Sequence, residues 1–486
     1  MSLTALKSMS TGTRWTRRSH AVAGVGLLAG VLTLAGRPAG AFPGSTERAS
    51  VDSAGNQSVG PSLAGPFAAP PSISADGRFV AFAAWARNLA PGDTNGFGDV
   101  FVHDRGTGTT ERLSVDRTGT EANDTIHQPA ISGDGHVVAF VSAATNLVPG
   151  DTNGQADVFV HDRPSGTTER VSVNSAGAEG DGSSERPTLS ADGRYVAFSS
   201  SATNLVPGDT NGQSDVFVHD RQTRLTERVS VDSAGIQGNA ASFVSPNDHG
   251  VPLSADGRFV AFTSAATNLV PGDSNEVGDV FVHDRQTRLT ERVSVDSAGN
   301  QADGESASPS MSADGRFVAF SSSATNLVPG DTNGQSDVFV HDRRTGTTER
   351  VSVDSAGTEA NGWSERPSIS ADGRFVAFCS YATNLVPRDT NGRWDEFVHD
   401  RQTHTTERVS VDSAGTEGNG DRRGASISAD GRFVAFASDA NNLVPWDTNS
   451  VTDVFVRDRN SASSESSTSA RRRARGRRAE SPAGRR

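Results

Sequence analysis

The sequence predicts an all-β fold: a seven-bladed β-propeller of four-stranded antiparallel blades, closed by the N-terminal strand. Three observations predict it: seven tandem repeats, a strand-and-turn grammar inside each repeat, and one repeated phrase out of phase with the rest. The phrase Ser-Ala-Asp-Gly-Arg-Phe-Val-Ala-Phe recurs seven times with small variations, its Asp at 76, 134, 192, 256, 314, 372 and 430. The spacings are 58, 58, 64, 58, 58 and 58. Fixed periods of this kind mark propellers and solenoids.

Each repeat reads as four strands. A short strand such as Pro367–Ser370 joins Arg374–Phe378 through Asp372-Gly373, a dipeptide suited to a tight hairpin because Gly tolerates positive φ. The run Phe375-Val376-Ala377-Phe378 lacks clean alternation, which predicts a strand covered on both faces. A second phrase, Asp-Val-Phe-Val-His-Asp-Arg with small variations, starts at 99, 157, 215, 279, 337, 395 and 453 and supplies the third strand. The fourth comes from Thr-Glu-Arg-Val-Ser-Val-Asp, as in Thr406–Asp412.

Six copies of this last phrase follow their blades, starting at 110, 168, 226, 290, 348 and 406. The seventh, Thr46–Asp52, precedes the first blade, while the last blade ends at Arg459 without one. A ring explains the offset: the N-terminal strand supplies the outer strand that blade seven lacks, removing the free sheet edges.

Residues 1–41 carry five basic groups and no acid, an apolar stretch over Ala21–Gly36, and the small-residue site Ala39-Gly40-Ala41. This reads as a secretory signal peptide cleaved after Ala41, by Sec or Tat export, for a secreted or extracytoplasmic protein. The apolar stretch is shorter than the ~20 residues that span a bilayer. The propeller is assigned to 42–459. Residues 460–486, rich in Ser and Arg, read as a disordered tail, with an anionic cell-surface polymer as an alternative partner. Between these ends, residues 42–459 hold 32 basic and 56 acidic groups, a net of −24 that argues against nucleic acid. Cys379, the one cysteine, cannot form an intrachain disulfide and reads as buried and inert.

The repeat resembles the TolB-type (WD40-like) propeller repeat, whose signature is Ser-x-Asp-Gly-x-x-Ile/Val-Ala-Phe-x-Ser followed by an apolar strand ending in Asp. The resemblance covers about 46–459. It implies the fold and a binding habit, and no activity. The additional α/β domain of TolB has no counterpart here, and the Gly-x-Ser-x-Gly elbow of propeller-capped peptidases is absent.

Two constellations are candidates for chemistry. The loop between second and third strands carries an Asp/Asn/Asp trio in every blade: Asp93, Asn95, Asp99; Asp151, Asn153, Asp157; Asp209, Asn211, Asp215; Asp273, Asn275, Asp279; Asp331, Asn333, Asp337; Asp389, Asn391, Asp395; and Asp447, Asn449, Asp453. Several hard oxygens around a Gly-bearing turn suit calcium, and the pattern looks like the latter part of extracellular Asp-x-Asp-x-Asp-Gly-x-x-Asp loops. It lacks their first acidic ligand, and Glu276 and Ser450 replace the Gly in blades four and seven. The alternative is that Asp and Asn merely cap turns. Six histidines at 103, 161, 219, 283, 341 and 399 fall on separate blades and read as packing groups.

The second constellation lies where near-identical repeats differ. Trp85, Trp363, Trp394 and Trp446 all fall on or beside the loops and crossovers of one face, in blades one, six and seven and the five–six crossover. Phe97, Tyr381, Arg388 and Arg393 share that sector. Either each ring folds over its own loop, or Trp394 and Trp446 floor a shared site flanked by Trp85 and Trp363. The single change in repeat spacing, six extra residues around Ser242–His249, is expected on the same face, on its far side.

The function expected is a monomeric, non-catalytic binding scaffold for a protein or glycan ligand, with calcium as a stabilising ion. The competing class is a polysaccharide lyase or hydrolase on the same ring. Asn247, Asp248 and His249 come nearest to the acid–base set such an enzyme needs.

Overall fold

Seven four-stranded antiparallel sheets, with no helix among the described residues, make up the structure, a computed structural model that describes residues 44–62, 69–243 and 250–460. The chain divides into Met1–Ala41 and Phe42–Arg486, and every described residue belongs to the second unit. The predicted signal peptide, the tail beyond Asn460, and Asn247, Asp248 and His249 lie outside the described residues.

Blade six shows the plan: an inner strand Ser364–Ile369, a second Phe375–Ser380, a third Asp395–Asp400 and an outer Thr405–Arg408. The inner strand starts earlier than the sequence suggested. Glu365 and Ser368 are separated by a β-bulge in which Arg366 takes φ 57°, so an extra residue enters before the hairpin. The outer strand is shorter than predicted. After Arg408 the chain leaves the sheet, and Val411 bridges instead to Glu417 in the crossover.

The middle strands carry the core. Val376, Ala377 and Phe378 are fully buried, which accounts for the missing alternation. Phe378 faces Phe397 in register, with ring centroids 5.9 Å apart, and every blade repeats this stacked pair. Aromatic pairs so placed add to their area burial, so truncating one such Phe costs about 3–5 kcal/mol.

Contacts between blades close the ring. Ser45–Arg48 pairs antiparallel with Asp453–Asp458, Ser45 opposite Asp458 and Arg48 opposite Phe455, as the out-of-phase phrase predicts. Backbone hydrogen bonds link successive hairpins, ending with the Ala429 N–H donating to the Ala75 carbonyl at 3.0 Å, across the seven–one junction. Arginines from one blade lie over aromatic rings of the preceding one, Arg401 over Phe317 at 4.5 Å and Arg105 over Phe433 at 4.3 Å. Gly373 must be glycine twice over: its φ is +74°, and a Cβ would lie 2.2 Å from the Phe317 ring of blade five.

The inner strands of all seven blades surround an axial cavity of about 160 Å³, lined by Ser, Pro and aliphatic side chains. The six extra residues of blade four fall between Phe243 and Gly250, so their expected place on the loop face lies outside the described residues. The sequence carries a second insertion of equal length ahead of Asp76 in blade one. The interval from Thr46 to Asp76 is 30 residues, as from Thr226 to Asp256, against 24 in the other repeats.

Candidate functional site

Three loop-end positions lie together in each blade: the residue before the inner strand, the residue after the second strand and the residue before the third. In blade three they are Ser183, Ser201 and Ser214; in blade six they are Trp363, Tyr381 and Trp394. The backbone is the same in both. The Tyr381 N–H donates to the Trp363 carbonyl at 2.9 Å, and the Ser201 N–H to the Ser183 carbonyl at 3.0 Å. Only the side chains change.

The three rings surround a hollow of about 420 Å³ at the junction with blade five, completed by Gln335, Asn361 and Gly362. The Tyr381 and Trp394 centroids stand 5.9 Å apart with planes tilted by 54°. Trp363 and Tyr381 remain 55% and 48% exposed, so both keep an aromatic face open to a ligand. None of the six lining residues is charged.

Trp85 and Trp446 do not line this hollow. Trp85 occupies the Tyr381 position of blade one, and its indole lies over Gly98, where a Cβ would meet Nε1 at 2.6 Å. Trp446 stands at the tip of the blade-seven loop, 89% exposed, whereas Trp394 stands at its loop's base beside the third strand. The expected four-tryptophan site is therefore not assembled. Trp363 and Trp394 share a hollow with Tyr381, and the other two stand apart.

The Asp/Asn/Asp trios are brought together, with an arginine at the centre of each. In blade two, Arg170 Nη1 lies 3.2 Å from Asp151, 3.3 Å from Asp157 and 2.8 Å from Glu179. Arg112, Arg228, Arg292, Arg350 and Arg408 repeat the arrangement. In blade seven the guanidinium comes from the closing strand, Arg48 lying 3.2 Å from Asp447. The Asn oxygen is committed as well: Asn153 Oδ1 accepts the Gln155 N–H at 2.8 Å, capping the turn. In blade one, Asp93, Asp99 and Glu121 offer oxygens within 4.8 Å of one another, with Arg112 beside all three. Calcium takes six to eight oxygens. Two or three carboxylates around a guanidinium do not present that shell. Burial raises the carboxyl groups of Asp99, Asp151, Asp331 and Asp389 to about 6, partly offset by these arginines.

The histidines are packing groups, as expected. His341 Nδ1 lies 2.9 Å from Thr348 Oγ1, whose hydroxyl donates to the Val295 carbonyl of the preceding blade, and the other five repeat this link. Burial lowers their pKa values, His399 to about 4, so they are neutral at pH 7. Cys379 is buried, and burial holds its thiol protonated.

The central arginines went unassigned by sequence reasoning, although one Thr-Glu-Arg phrase per acidic loop supplied the matching count. The structure also shows polar groups on the inner strands: the buried Gln128, whose Oε1 accepts the Arg186 N–H at 2.8 Å, and the half-buried His127, lowered to about 4 by desolvation and by Arg186. No described helix is long and apolar enough to cross a membrane.

No family model matches the chain, and no curated protein matches it. Solved structures that resemble it include TolB from Acinetobacter baumannii, at 17% identity and a TM-score of 0.38 over 71% of this chain and 64% of that one. The β-propeller domain of the Trilobed protease from Pyrococcus furiosus matches at 10% identity and a TM-score of 0.49, over 79% of this chain and 93% of the other. Oligogalacturonate lyase from Vibrio parahaemolyticus matches at 12% identity and a TM-score of 0.48, over 86% and 97%.

Proposed function

We propose that this propeller is an exported, non-catalytic binding scaffold whose ligand is a glycan seated in the blade-six hollow. One observation carries the reading. Three positions occupied by serine in blade three are aromatic in blade six, and the fold brings them to a single hollow. Exposed aromatic surface of this size is costly unless a partner covers it. Flat, rigid rings supply large contact area at low entropic cost, and sugar rings present the matching C–H faces. Export fits the closure of the ring: cleavage after Ala41 leaves the closing strand Ser45–Arg48 on the mature chain.

The test follows from the repeat itself. Trp363→Ser, Tyr381→Ser and Trp394→Ser together rebuild the surface of blade three on a backbone that already carries it. The mature protein is screened on a glycan array, and hits are quantified by calorimetry. The triple variant should melt with the parent and bind any hit at least about 30-fold more weakly, the scale of one hot-spot residue. Full binding by the triple variant, or no glycan bound by the parent, would refute the reading.

A further inference from the structure

The aromatic hollow has a neighbour. On the other side of a hydrogen-bonded ridge lies a second hollow of about 580 Å³, walled by Asp354, Ser355 and Ala356 of the crossover and by the Thr383–Arg388 stretch of the blade-six loop. The ridge is Asn361 against Thr383 and Asn384. Asn361 Nδ2 donates to Thr383 Oγ1 at 3.0 Å, and its backbone N–H to Asn384 Oδ1 at 2.9 Å. Asn361 lines the first hollow, while Thr383 and Asn384 line the second. The two therefore form consecutive stations of one surface groove.

Arg388 marks the second station. Five other blades place glycine there, Gly92, Gly150, Gly208, Gly272 and Gly330, with φ between 77° and 80°. Arg388 adopts the same left-handed conformation at φ 66°, where a side chain is disfavoured. Its side chain is exposed, and its guanidinium makes no ion pair or hydrogen bond among the described residues. Across the hollow, Asp354 Oδ1 accepts the Ala356 and Thr358 N–H groups, leaving Oδ2 for another donor. The second station thus offers a fan of donors and one free acceptor, with charges that cancel, beside a first station with none.

Resting on the glycan reading above, we infer that the ligand is a neutral oligosaccharide of at least two residues. One ring stacks in the Trp363/Tyr381/Trp394 hollow, and the next spans Arg388 and Asp354 through its hydroxyls. A hydroxyl pair can accept from the guanidinium and donate to the carboxylate, as the two walls require. A uronate carboxylate pairing with Arg388 would do so with Asp354 lining the same hollow, on a propeller body of net charge −24, and the first hollow contains no cation to receive a second one.

The experiment titrates the mature protein with neutral gluco-, manno- and xylo-oligosaccharides of one to six residues, and with uronate oligomers of the same lengths, by calorimetry at two salt concentrations. Affinity for the neutral series should rise about tenfold or more from monosaccharide to disaccharide or trisaccharide, the scale of one charge-assisted hydrogen bond, with little salt dependence. Arg388→Gly, the residue of five other blades, should melt at or above the parent temperature. It should erase most of that length increment. Tighter binding of the uronate series, a flat length series, or an unchanged increment in the glycine variant would overturn the inference. In any of these cases, loss of binding in the triple serine variant would keep the aromatic hollow as the site.

Discussion

Replacing Arg350 by leucine isolates the arginine-centred clusters. Its Nη1 lies 2.9 Å from Glu359, 3.4 Å from Asp337 and 3.5 Å from Asp331, and Asp337 is fully buried. Removing one partner of a buried ion pair costs about 3–5 kcal/mol, because the remaining charges are left uncompensated. Unfolding entropy of about 2.1 cal/mol/K per residue over roughly 400 residues turns this into a Tm loss of about 4–6 °C. The loss should depend on pH. Asp331 titrates at about 6 in the folded protein, above the roughly 3.9 of an unfolded chain. A raised carboxyl contributes stability that is fully present below the unfolded value and lost as pH rises through the folded one. Without Arg350 the folded value rises further, so the deficit is largest above pH 7 and shrinks towards pH 5, where the carboxyl holds its proton. Calorimetric melting of variant and parent at pH 5, 6, 7 and 8 reads this difference, with the histidine contributions cancelling between the two. A deficit below about 1 °C, or one equal at pH 5 and pH 8, would refute the reasoning.

Other outcomes follow from the same contacts. Adding a chelator should leave the parent's Tm within about 1 °C of its value in 1 mM calcium, since the guanidinium already fills each acidic set; seven sites occupied at the tight end of extracellular affinities would instead contribute about 10 kcal/mol. Deleting residues 42–52 strips the partner from Asp453–Asp458 and the Arg48 guanidinium from the buried Asp453, so blade seven should be cleaved first in limited proteolysis and unfolding should lose cooperativity. Gly373→Ala and Gly392→Ala separate conformation from packing. Both have positive φ, but only Gly373 faces a ring, so alanine should cost about 3 kcal/mol or more there and about 1 kcal/mol at the open Gly392, read by denaturant melts.

The fold was legible in the chain alone, because each blade is a local object repeated. The Asp-Gly hairpins, the doubly covered Phe-Val-Ala-Phe strands and the displaced Thr46–Asp52 phrase each follow from short-range chemistry, and the structure reproduces all three. The packing role of the six histidines was legible for the same reason, since equivalent positions on separate blades cannot converge. Which deviating residues meet was not legible. Trp394 and Trp446 look alike on a loop-by-loop reading, yet one stands at a loop base and the other at a tip, so only Trp363 and Tyr381 join Trp394. The acidic trios left a metal reading open beside the turn reading because Arg350, which lies against Asp331 and Asp337, is brought back to them only by strand pairing, and Glu359 only by the crossover. The second insertion escaped notice because blade one has no preceding blade against which to measure its spacing. Charge compensation and pocket formation depend on distances between chain segments, and those distances are set by the register of the sheets and the closure of the ring.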